Sequence, residues 1–526
     1  MNTRNAHALR VRSAGPQRRT AGPQQRPGAG VAPYGLGTAT AALPVRQEAR
    51  TEVPVAAAGN TGSTRHPLVD RAGNARLARC EEAVKGRFEA IAPTLKAIAG
   101  LPRGGDFAAR AQALAGEQLG YALPDRVLDD AWVAGPDIKA LYAHCAFSAL
   151  KSSATQFAQD LKNQVEAVQD TRNFFLDCGF HAVDISPCAD GRLKGLSRYI
   201  LRLPLTSFSW RKAYAGALFD VETDVRHWVA TELRRFREGV PSTADSGTRY
   251  LKVAVYHTSS SDPCHEGCAA HGSNEHKAIE AALERLGQFR QAIENAFCCG
   301  ASTDILLIGV DTDTDAIKVH LPDANGDLSA HRWVDNAQLY RDSAGMSADQ
   351  ARLAVHEAIR QASAKGGWGS GQGEPHDGMR RLIANLLINN LSQIEYVDDL
   401  YDGRYPDIGH AERFISVGDG FEEVQMRNVA YYAHLHTLEE GAADMDVGIK
   451  IFQGLNVQHG LPAPVAIHYR YDARVPGSRE RMVAKCERVR AAIEQRYPEL
   501  HAQGLLVCHL SVQDLPTGSL IEEVAS

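Results

Sequence analysis

The feature that most constrains this chain is a pair of short apolar runs, each ending at a side chain able to bind a soft metal. Ala182-Val-Asp-Ile185 leads into Cys188-Ala-Asp-Gly-Arg192, and Tyr250-Leu-Lys-Val-Ala-Val-Tyr256 ends directly in His257. A third run, Asp304-Ile-Leu-Leu-Ile-Gly-Val310, follows a stretch in which Ile279, Leu283, Leu286, Phe289, Ile293 and Phe297 recur at three- and four-residue steps. That spacing predicts an amphipathic helix, with Gly272-Ser-Asn274 as its cap. Strands alternating with helices predict an α/β layer with a largely parallel sheet. Such sheets bind ligands at the carboxyl ends of their strands, where Cys188 and His257 fall.

Cys188, Asp190 and Arg192 place a thiolate, a carboxylate and a guanidinium within five residues. Thiolate suits zinc, and arginine suits a bidentate hold on a carboxylate. A carboxylate held beside a metal can accept a hydrogen bond from metal-bound water and orient it. Cys268 lies eleven residues beyond His257, in Cys264-His-Glu-Gly-Cys268-Ala-Ala-His271. Cys188, His257 and Cys268 make three protein ligands with a fourth position open, the pattern of a catalytic zinc rather than a structural one.

Cys188-Ala-Asp-Gly-Arg192 resembles the Cys-x-Asp-x-Arg signature of β-type carbonic anhydrases. The wider run Phe175 to Lys194 is similar to the divergent carboxysome shell branch of that family, as are Phe297-Cys-Cys-Gly300, Val310-Asp-Thr-Asp-Thr-Asp315, Leu387-Ile-Asn-Asn-Leu-Ser392 and Phe414-Ile-Ser-Val-Gly-Asp-Gly-Phe421. The likeness runs from roughly residue 60 to the end. Ordinary β-type enzymes have His-x-x-Cys, whereas ten residues separate His257 from Cys268 here, as in the carboxysomal branch. The resemblance implies one Zn²⁺ per chain, interconversion of CO₂ and bicarbonate inside the carboxysome of a bacterial cytoplasm, supply of CO₂ to Rubisco, contact with the shell, and a homo-oligomer built of dimers. It also implies that Asp190 orients the zinc-bound water while Arg192 holds Asp190.

At 526 residues the chain is long enough for three or four domains, and 44% apolar content with a net charge of −6 suits a globular protein. No apolar run reaches membrane-spanning length, and the first residues lack the apolar core of a signal peptide, so no membrane partner is expected. No nucleic-acid partner is expected either. Ten cysteines are too sparse for a disulfide scaffold and point to reduced thiols, some used for metal. Arg4, Arg10, Arg12, Arg18, Arg19, Arg26, Arg46 and Arg50 face only Glu48 and Glu52 across the first 52 residues. With Gly, Pro, Gln and Ala filling much of the rest, residues 1–60 read as a disordered basic tail. Such a tail is either passive or docks on an acidic partner, and a transit peptide shares its composition. The resemblance implies that it tethers the enzyme to Rubisco.

Residues 61–165 read as an all-helical domain, from the spacing in Arg76 to Phe88 and Ala140 to Leu150. The catalytic zinc domain then spans 166–410. Residues 411–526 read as a degenerate duplicate: Phe414-Ile-Ser-Val-Gly-Asp-Gly420 can be laid on Ile185-Ser-Pro-Cys-Ala-Asp-Gly191. Anchoring on Asp-Gly sets Val417 opposite Cys188 and Phe421 opposite Arg192, with the two Ile-Ser pairs one residue out of step. Pro464 to Tyr469 aligned on Lys252 to His257 sets Tyr469 opposite His257. The duplicate thus lacks the ligands.

Other signals have competing readings. Cys264, His265, Cys268 and His271 are spaced like a local zinc knuckle. Asp311-Thr-Asp-Thr-Asp315 imitates a calcium loop, but Pro322 stands where a glutamate is needed, so a polar strand exit is expected. Gly366 to Gly373 follows a helix, not a strand, and reads as a flexible loop. Cys298-Cys299 and Cys178 are expected to be structural. His410, in Gly409-His-Ala-Glu-Arg413, is a candidate for proton transfer or a structural hydrogen-bonding residue. A non-enzymatic alternative is an organising protein that links Rubisco to the shell with a structural zinc site. The intact Asp190 and Arg192 argue against it.

Overall fold

The computed structural model describes residues 65–162, 174–203, 209–239, 249–297, 303–365, 373–419, 421, 424, 426–433, 442–515 and 520–524. The basic tail, Cys298-Cys299 and residues 366–372 lie outside the described residues.

The amino-terminal part is helical. Its helices include Arg71–Glu89, Ile91–Ala99, Phe107–Gln118 and Ile138–Lys162. The Asp70 side chain caps the first by accepting from Gly73 N at 2.9 Å. Ile98, Phe107, Leu141 and Leu150 are almost wholly buried between them. The two helical stretches expected from the spacing both fall within these elements.

Two parallel-rich sheets follow. The first runs β2 (Ser209–Arg211), β1 (Ala182–Pro187), β3 (Tyr250–Thr258), β4 (Thr303–Asp311), β5 (Ile317–His320), β6 (Trp333–Asp335). Its first four strands are parallel and its last two antiparallel. Both faces of β3 are covered, so Tyr250 to His257 are all buried, as a central parallel strand requires. Helix Glu275–Phe297 packs Ala278, Ala282, Leu286, Phe289 and Ile293 against one face, and Asn274 Oδ1 caps it by accepting from Lys277 N at 3.0 Å. Helix Asp377–Tyr401 covers the other with Leu382, Ile383, Leu386 and Leu387.

The second sheet runs β8 (Ala430–Ala433), β7 (Phe414–Gly418), β9 (Ala463–Tyr471), β10 (Leu506–Asp514), β11 (Glu522–Glu523). This is the order β2-β1-β3-β4-β5 repeated, with an antiparallel last strand in both. The strand register corrects the expected alignment. β1 pairs Ile185 with Val253, and β7 pairs Ile415 with Val465. With Tyr469 laid on His257, the two Ile-Ser pairs coincide and Gly418, not Val417, stands at the position of Cys188. A shared Asp-Gly looked like the stronger anchor. Yet the chain leaves β7 at Gly418 with φ of +97°, so the residues beyond it follow a different path.

Candidate active site

β1 and β3 are parallel neighbours, so their carboxyl ends meet at one edge. Cys188 continues from β1, its N–H donating to Val255 O at 2.9 Å. His257 is the next-to-last residue of β3. Cys268 returns to them from the loop ahead of helix Glu275–Phe297. Their three ligand atoms lie within 4.8 Å of one another, all on buried residues. The two Sγ atoms are 3.8 Å apart. A tetrahedral zinc with Zn–S near 2.3 Å sets two sulfurs about 3.8 Å apart. His257 is 1% exposed, and among the described residues neither of its ring nitrogens makes a hydrogen bond. A buried imidazole with both nitrogens free of hydrogen bonds is costly unless something else takes one of them. The donor set and its spacing fit a zinc ion.

Between the two thiols the hydrogen bond sets the protonation. The bond to Cys268, helped by burial, pushes the Cys188 thiol well up, and the same bond holds Cys268 below its usual range. A metal bound to these thiols would displace their protons.

Asp190 sits beside this group, 8% exposed. Its Oδ1 accepts from Arg192 Nε at 2.9 Å and from Arg192 N at 2.9 Å; Oδ2 accepts from Arg192 Nη2 at 2.8 Å. Arg192 is itself buried, and its Nη1 donates to Ile408 O at 2.7 Å and reaches Glu266 at 3.4 Å. Burial pushes the Asp190 carboxyl up. The charges of Arg192, His257 and His410 outweigh it and hold the group well below the usual carboxylate range. Asp190 Oδ2 lies 3.4 Å from His257 Nε2 and 3.9 Å from His410 Nε2. The loop before β7 therefore brings His410 to the same place. Burial disfavours the His410 cation, but Asp190 and Glu412 raise its pKa to about 9.

Two cavities meet the site. One of about 760 Å³ reaches His257 and Cys268. A small one of about 60 Å³ touches Cys188, Asp190, Ala189 and Leu193. The second sheet closes over the turn: Tyr432 N donates to Ala189 O at 3.4 Å, and Asn428 N to Gly191 O at 2.9 Å.

The four residues of the rival local knuckle do not converge. Cys264 is exposed. His265 pairs with Asp262 at 2.8 Å, and His271 Nε2 with Gly216 O at 3.1 Å. The acidic run after β4 caps the exit of β3: Asp313 accepts from Ser259 Oγ at 2.9 Å and Ser261 N at 2.7 Å. Cys178 is buried. Another cluster of donors, Asp184, Asp224 and His227, already holds a cation, since Lys252 Nζ lies 2.8 Å from Asp184 and 2.5 Å from Asp224. Sequence reasoning missed Glu266 and Glu412. The first lies inside the quoted Cys264 to His271 segment and the second two residues after His410, but only the fold shows which carboxylate points inward.

Comparison with known proteins identifies the family. Three family models match in succession: Carboxysome Shell Carbonic Anhydrase N-terminal over residues 66–158, catalytic domain over 170–410 and C-terminal over 411–526. The chain belongs to the carboxysome shell carbonic anhydrase family. A carboxysome shell carbonic anhydrase of Halothiobacillus neapolitanus is 58% identical, covering 88% of this chain and 90% of that one. Those of Prochlorococcus marinus and Parasynechococcus marenigrum are 48% and 47% identical, covering 88% and 98% of this chain and 89% and 86% of theirs.

Proposed function

We propose that this chain is a zinc carbonic anhydrase of the carboxysome, with one zinc held by Cys188, His257 and Cys268. The observation that carries this reading is the buried imidazole, without hydrogen bonds among the described residues, facing two thiols at zinc-like spacing, beside a carboxylate fixed by a bidentate arginine. When bound, zinc supplies the Lewis acidity that lets water act as a nucleophile toward CO₂ near neutral pH.

The chain's own residues do the positioning. Both Asp190 oxygens are held by Arg192, so the carboxylate cannot rotate freely, and Oδ2 lies 3.4 Å from His257 Nε2. There it accepts a hydrogen bond from the reacting water and aims its lone pair. Arg192, anchored by Ile408 O, holds Asp190 back from the metal itself. His410, half-buried between Asp190 and solvent, is protonated near neutral pH because its pKa is raised to about 9; it supplies a proton to the site in the dehydration direction, and in hydration its neutral form carries the released proton outward.

Residues 411–526 serve as a degenerate copy of the catalytic domain 166–410, with 61–165 a helical scaffold. Supporting this, the strand order repeats, and Gly418 and Tyr469 stand where Cys188 and His257 would. Among the described residues no metal-type donor group falls in the second sheet. The relatives' names place those proteins in the carboxysome shell. Here the enzyme would form dimers or assemblies of dimers and feed CO₂ to Rubisco, tethered by its basic tail.

Stopped-flow CO₂ hydration on reduced protein, with zinc quantified on the same sample, tests the reading. Fast turnover with about one zinc per chain is expected. Zinc without turnover would favour the organising role instead.

A further inference from the structure

His410 does not stand alone in the loop that crosses the site. Two residues on, the Glu412 side chain is completely covered. Its Oε1 accepts from His410 Nδ1 at 2.8 Å and from the Gly191 backbone N–H at 3.3 Å. Its Oε2 is buried and makes no hydrogen bond among the described residues. A Cβ on Gly191 would stand 2.5 Å from Glu412 Cγ and Oε1. The glycine between Asp190 and Arg192 is therefore what lets this carboxylate lie against the turn.

Burying a carboxylate with one oxygen unpaired works against folding, and an apolar side chain of the same volume would pack there at less cost. The charge serves geometry instead. Because Glu412 takes the Nδ1 proton, the imidazole must turn Nε2 toward Asp190 Oδ2, 3.9 Å away. Because the same oxygen takes the Gly191 N–H, the imidazole is tied to the turn that carries Asp190 and Arg192.

Building on the zinc carbonic anhydrase reading, we propose that Glu412 is a positioning residue for proton transfer, which aims His410 at Asp190 and locks both to one turn. In the dehydration direction a proton enters the site: the protonated ring gives it from Nε2 and is reprotonated there by buffer, while the Nδ1 proton stays on the ring, hydrogen-bonded to Glu412; hydration runs the same step in reverse, from the neutral ring. No bond to carbon changes in this step. Glu412 touches neither substrate nor metal ligand in this scheme.

The test uses the full chain with E412M, which fills the volume without an acceptor, E412Q, whose amide oxygen still accepts at Nδ1, and H410A. In E412M and H410A, kcat for CO₂ hydration should fall about ten- to hundredfold. In both, kcat/KM and zinc content should stay unchanged, and added imidazole should restore kcat. E412Q should stay close to wild type. Crystal structures give a readout independent of activity: the His410 ring keeps its aim in E412Q and turns away in E412M, with Cys188, His257 and Cys268 unmoved. The proposal is overturned if kcat and kcat/KM fall together without imidazole rescue, if E412M keeps wild-type kcat or ring position, or if E412M does not fold. A wild-type chain without zinc-dependent turnover would instead sink the parent reading.

Discussion

Arg192 is where a single substitution separates stability from chemistry. Replacing it with methionine removes the Nε and Nη2 contacts to Asp190 at 2.9 and 2.8 Å and the Nη1 contact to Ile408 O at 2.7 Å. The 3.4 Å contact to Glu266, which is 30% exposed, adds little. The Asp190 side chain is 6% exposed, so Arg192→Met leaves a buried carboxylate without its guanidinium, held only by the backbone N–H of residue 192 and the neighbouring His410 charge. Breaking such a pair costs about 3–5 kcal/mol. Asp190→Leu leaves the guanidinium, which Ile408 O and Glu266 still hold, and should cost toward the lower end. Removing both partners leaves no stranded charge, so the double variant should return to within about 1–2 kcal/mol of wild type. The coupling in this cycle is then at least about 3 kcal/mol. Urea midpoints read by tryptophan fluorescence, with zinc measured on each sample, check it. All three variants should retain zinc and lose turnover. Additive losses in the double variant would refute the paired-charge argument, and loss of zinc from Arg192→Met would show that the arginine acts on the ligands instead.

Three further expectations follow from particular side chains. Cys188→Ser should lose zinc while Cys264→Ser keeps it; metal analysis of the reverse pattern would restore the local knuckle. Asp190→Ala should retain zinc and lose most activity, and wild-type turnover there would remove its orienting role. His66 is fully buried, stacks on Tyr340 at 5.2 Å, and accepts from Leu68 N at Nδ1. Burial, then the charge of Arg71, lower its pKa from 6.5 to about 4. The fold needs the neutral ring, so the anchoring of residues 65–70 is fully present above pH 6.5 and lost as pH falls toward 4. Amide exchange of this segment should speed up over that window in wild type and not in His66→Phe; a pH-independent wild type would refute it.

How much was legible beforehand depends on how local each signal is. A short apolar run, Ala182 to Ile185, just ahead of Cys188 and a longer one ending at His257 show their nature by composition alone. Parallel pairing then leaves little choice about which ends meet. Cys268 was reachable because its segment is short, and Asp190 and Arg192 because their hydrogen bonds close within three residues. Lys252 was hidden inside an apolar run. Its burial rests on Asp184 and Asp224, 68 and 28 residues away in sequence. The repeated strand order was visible only as a weak alignment, and the pairing of Ile415 with Val465 was needed to set its register.

The sequence by itself determined the α/β alternation, the candidate metal donors at the strand ends and the carboxylate–arginine turn, because periodicity and short-range hydrogen bonding act over a few residues. Only the tertiary structure decided that Glu412 rather than Glu266 packs beneath Gly191, that His410 meets Asp190, and that the second sheet roofs the site. Those choices depend on chain segments more than two hundred residues apart, whose meeting is set by the packing of whole sheets and leaves no mark in local composition.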